Sequence, residues 1–81
     1  MFYVYVLKCK DGSLYTGYTN YLKKRLKMHN DGKASKYTRS RLPVKLAAQW
    51  TFPSKSQAMK HEAMFKLLTR KEKMVAIRQG F

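Results

Sequence analysis

Only four side chains in this 81-residue sequence are acidic, and their scarcity narrows the available chemistry. Asp11 falls in a turn beside Gly12, and Asp31 falls at a helix end beside Gly32. Glu72 follows Thr69 by three residues, where a capping role and the helix dipole explain it. Glu62 is left without a local structural task. It shares a helical stripe with Ala58, Phe65 and Leu68, so the spacing predicts a carboxylate at least half buried. Such a group must be paired or must hold a metal. Two readings stand: an ion pair with Lys66 one turn later, or a site for Mg²⁺, which takes few protein ligands besides substrate phosphate. One free carboxylate argues against a two-metal cluster and against paired-carboxylate glycosidase chemistry.

Arg25 and His29 are four residues apart and share a helix face. An arginine there can clamp a phosphate with two parallel hydrogen bonds. A histidine beside it can move a proton near neutral pH. The plainer reading puts both on a solvated rim that binds backbone phosphates. Tyr3, Tyr5, Tyr15, Tyr18 and Tyr21 crowd into the first 21 positions. Aromatic cross-strand pairing explains such a cluster without any function. A catalytic reading needs phenols whose pKa falls toward neutrality, which neighbouring cations favour. The run from Lys33 through Lys36, Tyr37, Arg39 and Arg41 suits phosphate contact, with an aromatic ring stacking on a base.

The whole composition supports that partner. Eighteen Lys and Arg against four Asp and Glu leave a formal charge of +14. So much like charge on one small surface repels itself, and a polyphosphate backbone is the obvious counterpart. At 44% hydrophobic the chain is still globular, with room for a single domain over residues 1–81. Cys9 is the only cysteine, which excludes an intramolecular disulfide and any multi-thiolate metal site. One unpaired thiol fits a reducing cytoplasm. No apolar run is long enough for a membrane span, and the first residues read as a strand and not as a signal peptide.

The elements that must position these groups can be read in order. Residues 2–7 are aromatic and β-branched and form a strand covered on both faces. Asp11-Gly12 signals a hairpin, with residues 13–18 returning. Gly17 inside the return strand points to a bulge or to close approach by another group. Thr19 or Asn20 caps a helix that Gly32 stops, with Leu22, Leu26 and His29 on one stripe. Residues 33–43 form an ordered loop. Residues 44–52 form a third strand, ended by Pro53. Ser54 with Gln57, and Thr69 with Glu72, are capping boxes that open helices over 55–68 and 70–79, the second closed by Gly80. The order is β-β-α-β-α-α. Without a parallel βαβ repeat, the class is α+β.

Tyr3-Val4-Tyr5, then Tyr15-Thr16-Gly17, then Arg25 and His29, then a lone Glu62 form an ordered set. This set resembles the GIY-YIG nuclease domain, in particular its small stand-alone bacterial members, over essentially the whole chain. Lys36-Tyr37-Thr38-Arg39 and Phe52-Pro53-Ser54 share the resemblance. It implies a three-stranded antiparallel sheet flanked by helices, and phosphodiester cleavage with one divalent ion, Mg²⁺ or Mn²⁺. By the same resemblance Tyr5, Tyr15, Arg25 and His29 are catalytic and Glu62 binds the metal. Tyr3 replaces the glycine of the first motif, Tyr18 stands where some relatives carry lysine or a small residue, and no asparagine follows Glu62.

The expected function is a metal-dependent endonuclease on DNA, structure-selective or weakly sequence-selective, since no sequence-reading motif is visible. The rival from another class is a non-catalytic nucleic-acid-binding module. A third reading is a metal-free ribonuclease using His29 and His61. A protein partner that directs the cutting is a fourth.

Overall fold

The computed structural model describes residues 1–79. Strand β1 spans Phe2–Lys8 and β2 spans Leu14–Thr19. Helices α1 (Leu22–Asn30) and α2 (Lys36–Arg39) precede β3 (Lys45–Phe52). Helices α3 (Lys55–Lys66) and α4 (Arg70–Gln79) follow. The domain is α+β, as the sequence predicts, with one addition: a single turn of helix, α2, stands inside the segment read as loop. Ser35 opens that turn, its hydroxyl accepting the Tyr37 N–H.

The sheet runs β2-β1-β3, antiparallel throughout. The hairpin between β1 and β2 is built as Asp11-Gly12 predicts. The Asp11 carboxylate accepts from the N–H and the hydroxyl of Ser13, and Gly12 sits at φ +85°. On the other side, Val6 pairs with Ala48 but Leu7 pairs with Leu46. Ala47 is thus the extra residue of a bulge in β3.

Strand alternation sends two sets of β1 side chains to two cores. Tyr5 and Leu7 join Cys9 and Val44 under Leu22 and Leu26 of α1. Val6 joins Ala48 and Phe65, covered by Leu68, Ala76 and Ile77. Val4, Val6 and Leu7 have no exposed surface. Burial of this kind contributes about 1.5–3 kcal/mol per side chain.

Helix α1 stops in the way Gly32 predicts. The Gly32 N–H donates to the His29 carbonyl and the Lys33 N–H to the Met28 carbonyl, with Gly32 at φ +75°. Its start differs from the prediction. Tyr21 is the capping residue and makes no side-chain cap, while Thr19 accepts only the Tyr21 N–H, one residue ahead of the helix. Both later capping boxes are present. The second is reciprocal, with Glu72 N–H donating to Thr69 and Thr69 N–H donating to Glu72. Helix α3 ends at Lys66, two residues before the predicted end, although Leu68 still packs on the core. The predicted stop at Gly80 lies outside the described residues.

Candidate active site

Gly17 sets the position of the first tyrosine. It faces Tyr5 across the β1–β2 ladder. A Cβ on Gly17 would lie 2.6 Å from the Tyr5 phenol oxygen and 2.8 Å from Cζ. The ring therefore lies over bare backbone, which is the close approach expected of a strand glycine. The one bulge the strand pairings record lies in β3.

So placed, the Tyr5 hydroxyl reaches Nε2 of His29 at 3.0 Å, and Nδ1 of His29 reaches the Thr38 hydroxyl at 2.9 Å. The Thr38 hydroxyl in turn donates to the Ser35 carbonyl at 3.3 Å. That single hydroxyl proton decides the rest of the chain. Having donated to Ser35, Thr38 can only accept from His29, so Nδ1 carries the ring proton and Nε2 is the bare nitrogen. Tyr5 is consequently the donor to Nε2. Thr38 has no exposed surface and His29 has 1%. The rim reading of His29 fails on this burial: the side chain is interior, and only Arg25 stands at the boundary.

Burial, and then the charge of Arg25, hold His29 below the usual histidine range. It is a neutral acceptor at physiological pH. The Tyr5 phenol moves opposite to the expectation for a cation-rich site. Burial raises its pKa, the Tyr15 phenol adds to this, and the opposing pull of Arg25 is too weak to cancel it. Glu62 raises it further. Desolvation thus wins over nearby positive charge.

Tyr15 sits at the opening. Its ring meets His29 edge-on at 5.1 Å and stacks on Tyr37 at 6.0 Å. Tyr15, Thr16 and Tyr37 line a cleft of about 240 Å³ whose other wall carries Lys66 of α3 and Lys73 of α4. Glu62 lies one turn before Lys66, its side chain 18% exposed, its oxygen a loose 3.8 Å from the Lys66 ammonium. The predicted ion pair with Lys66 is therefore present, but weak in geometry. Helix α3 packs on the sheet face opposite α1. The Glu62 carboxylate forms no hydrogen bond to the Tyr5–His29–Thr38 chain, and its one side-chain partner among the described residues is Lys66.

Arg25 is half-buried and makes no side-chain hydrogen bond or ion pair among the described residues. It lines a second small cleft with Lys24 and Asn20. The predicted phosphate-binding run divides. Lys33, Lys36 and Arg39 are exposed, and Tyr37 is partly so. Arg41 is instead engaged: it pairs with Asp11 at 3.0 Å, donates to the Tyr37 carbonyl at 2.8 Å, and lies 3.9 Å above the Tyr37 ring.

Two positioning residues escape a reading of the sequence. Thr38 is one: the sequence shows it only inside the Lys36-Tyr37-Thr38-Arg39 stretch, with nothing to mark it as the partner of His29. Asn30 is the other. Its amide donates to the Val44 carbonyl and accepts the Val44 N–H, tying the end of α1 to β3. His61 lies with Trp50 and Phe52, at 4.8 and 5.1 Å, on the α3 face. The sheet separates it from His29, which removes the two-histidine ribonuclease.

Three strands, a buried tyrosine–histidine pair and an arginine without a side-chain partner among the described residues belong to a small cationic α+β domain. Comparison with known proteins gives its family. A family model described as the GIY-YIG catalytic domain matches residues 1–75. The chain belongs to the GIY-YIG family, a nuclease superfamily whose members generally use divalent metal ions. It is 57% identical over 77 residues to the UPF0213 protein SAG0778 of Streptococcus agalactiae, covering 95% of this chain and 88% of that one. It is similar in structure to the UPF0213 protein BH0048 from Bacillus halodurans, with a TM-score of 0.64 and 50% identity over 98% of this chain and 85% of that one. The protein EF2693 from E. faecalis has a TM-score of 0.65 and 46% identity over 95% of this chain and 82% of that one.

Proposed function

We propose that the protein is a divalent-metal-dependent endonuclease that cuts DNA with structural or weak sequence selectivity. The carrying observation is the Tyr5–His29–Thr38 chain, with Arg25 acting on His29 and making no side-chain hydrogen bond or ion pair among the described residues. Glu62 fits a metal-binding role by its chemistry. Its carboxylate is mostly buried and its Lys66 partner is loose. No group of three His, Cys, Asp or Glu stands ready as a cage among the described residues. Mg²⁺ tolerates that, since it is bound by one or two carboxylates together with substrate phosphates. Bound at Glu62, Mg²⁺ or Mn²⁺ would neutralise charge on the phosphate and steady the leaving oxygen.

The remaining work belongs to the chain. Tyr5 is a neutral phenol, so it accepts a proton from the attacking water only as its own proton passes to Nε2 of His29. His29 is kept neutral by burial and by Arg25, and so is free to take it. The imidazolium then keeps its Nδ1–H on Thr38. Arg25 stabilises the charge that grows on the non-bridging oxygens. Tyr15, at the cleft mouth, orients the approaching strand. The test is cleavage of duplex, flap and branched DNA with Mg²⁺ or Mn²⁺, using wild type, Glu62→Gln and Arg25→Ala. Metal-dependent cutting by the wild type alone supports the proposal. Equal cutting by all three sinks the site assignment.

A second reading has its own support. A charge of +14 far exceeds the needs of one active site. A binding module that retains the scaffold would hold DNA tightly and cut none of these shapes with either metal.

A further inference from the structure

A cleft of about 550 Å³ lies away from Glu62, between β3 and the start of α1. That is within the roughly 300–1,000 Å³ range of ligand sites. Its floor is apolar, from Leu26 and Leu46, and Tyr3 and Tyr21 stand beside it. Tyr21 is 62% exposed, which leaves most of an aromatic ring facing solvent at the edge of this cleft. Two primary amides, Asn20 and Gln49, edge the same cleft. Neither side chain makes a hydrogen bond among the described residues, although other amides do, as Asn30 shows. Asn20 and Tyr21 also line the adjoining cleft that holds Arg25 and Lys24.

Flat faces, unspent donor–acceptor edges and a neighbouring arginine are the complement of one chemical object. We propose that this cleft receives the base of an unpaired nucleotide whose adjacent phosphate lies at Arg25. Tyr21 stacks on the base face, as aromatic rings do in single-strand binding. Asn20 and Gln49 meet its polar edge, since each amide offers both a donor and an acceptor. Lys23 in this cleft and Lys24 in the adjoining one carry the backbone past the opening. This inference rests on the nucleic-acid reading above and adds the substrate feature to it: a locally unstacked base beside the phosphate. A fully paired duplex can satisfy the cleft only by flipping that base out, which costs energy.

The experiment uses short single-stranded DNA carrying 2-aminopurine at one position, and the same strand with an abasic site there. Stacking quenches 2-aminopurine emission. The expected result is quenching and tighter binding of the base-bearing strand by the wild type. Tyr21→Ala should lose the quenching and weaken that strand about tenfold, with the abasic strand unchanged. Tyr21→Phe should restore both, and Asn20→Ala with Gln49→Ala should lower affinity for the base-bearing strand alone. Tyr21 is exposed, and a thermal melt checks that each variant is folded. Equal binding of both strands by wild type and variants overturns the base cleft while leaving the nucleic-acid reading in place. No binding of either strand by the wild type overturns both.

Discussion

Nδ1 of His29 lies 2.9 Å from the Thr38 hydroxyl, and that contact decides which ring nitrogen holds the proton. The catalytic candidate is on α1 and its orienting partner on a one-turn helix nine residues away. Removing the partner strands a buried N–H. Thr38→Ala should cost about 1–3 kcal/mol of stability and let the imidazole change tautomer. Thr38→Ser should restore both. Urea unfolding and the ¹⁵N chemical shifts of the His29 ring measure the two effects. Unchanged ring shifts in Thr38→Ala would remove Thr38 from the argument.

Gly17 can be tested by filling its space. An alanine methyl would overlap the Tyr5 phenol, whose oxygen stands 2.6 Å from the Cβ position. Gly17→Ala should cost about 1–3 kcal/mol by overpacking and break the Tyr5–His29 hydrogen bond. Cleavage should fall together with stability. In Gly17→Ala combined with Tyr5→Ala, the added stability loss should be smaller than the two single losses together, which a double-mutant cycle reads directly.

The pH dependence follows from His29 and has a definite sign. Its ordinary pKa is 6.5, and the folded protein holds it lower, by burial first and by Arg25 second. The unfolded chain therefore binds the proton more readily. The contribution to stability is whole above about pH 6.5 and is lost as pH falls through the folded value. His61, lowered by burial, adds the same sign. Urea midpoints should be flat above pH 6.5 and decline below it, and His29→Gln should flatten part of the decline.

Arg25 and Glu62 should separate activity from stability. Neither has a tight partner: Arg25 makes no hydrogen bond among the described residues, and Glu62 meets Lys66 only at 3.8 Å. An exposed or loose pair contributes little to folding. Arg25→Ala should lower cleavage by roughly 10²–10³-fold, the loss expected for one preorganised donor. Glu62→Gln, or chelation of the metal with EDTA, should abolish cleavage. In both variants the melting temperature should stay close to that of the wild type.

The basic run should divide in the same way. Lys36→Ala and Arg39→Ala remove exposed cations, so each should lower the slope of log affinity against log salt by about 1. Arg41→Ala removes the tie to Asp11 and the contact with Tyr37. It should lower the unfolding midpoint more than it changes that slope.

These divisions show what the sequence discloses and what it hides. Turn and cap chemistry is local, so Asp11-Gly12, Gly32 and the Thr69–Glu72 box could be read and are present. The ordered set Tyr5, Tyr15, Arg25, His29 and Glu62 carries the family. What stayed hidden depends on burial and on distant contacts. The raised Tyr5 pKa needs the depth of the ring. The proton on Nδ1 of His29 needs Thr38, and the engagement of Arg41 needs Asp11 thirty positions earlier. The one-turn helix at Lys36–Arg39 is too short for periodicity to reveal. The start of α1 misled because Thr19 spends its hydroxyl on the strand's exit and not on the helix.

The strand Phe2–Lys8 lies in the middle of the sheet, although its second neighbour, Lys45–Phe52, comes much later in the chain. As the polypeptide leaves the ribosome, the first hairpin must wait with one raw edge while α1 and α2 are still being made. Such an edge is open to any passing strand. The interval before β3 emerges is therefore when a nascent molecule is most prone to clump, and when chaperone cover would help it most.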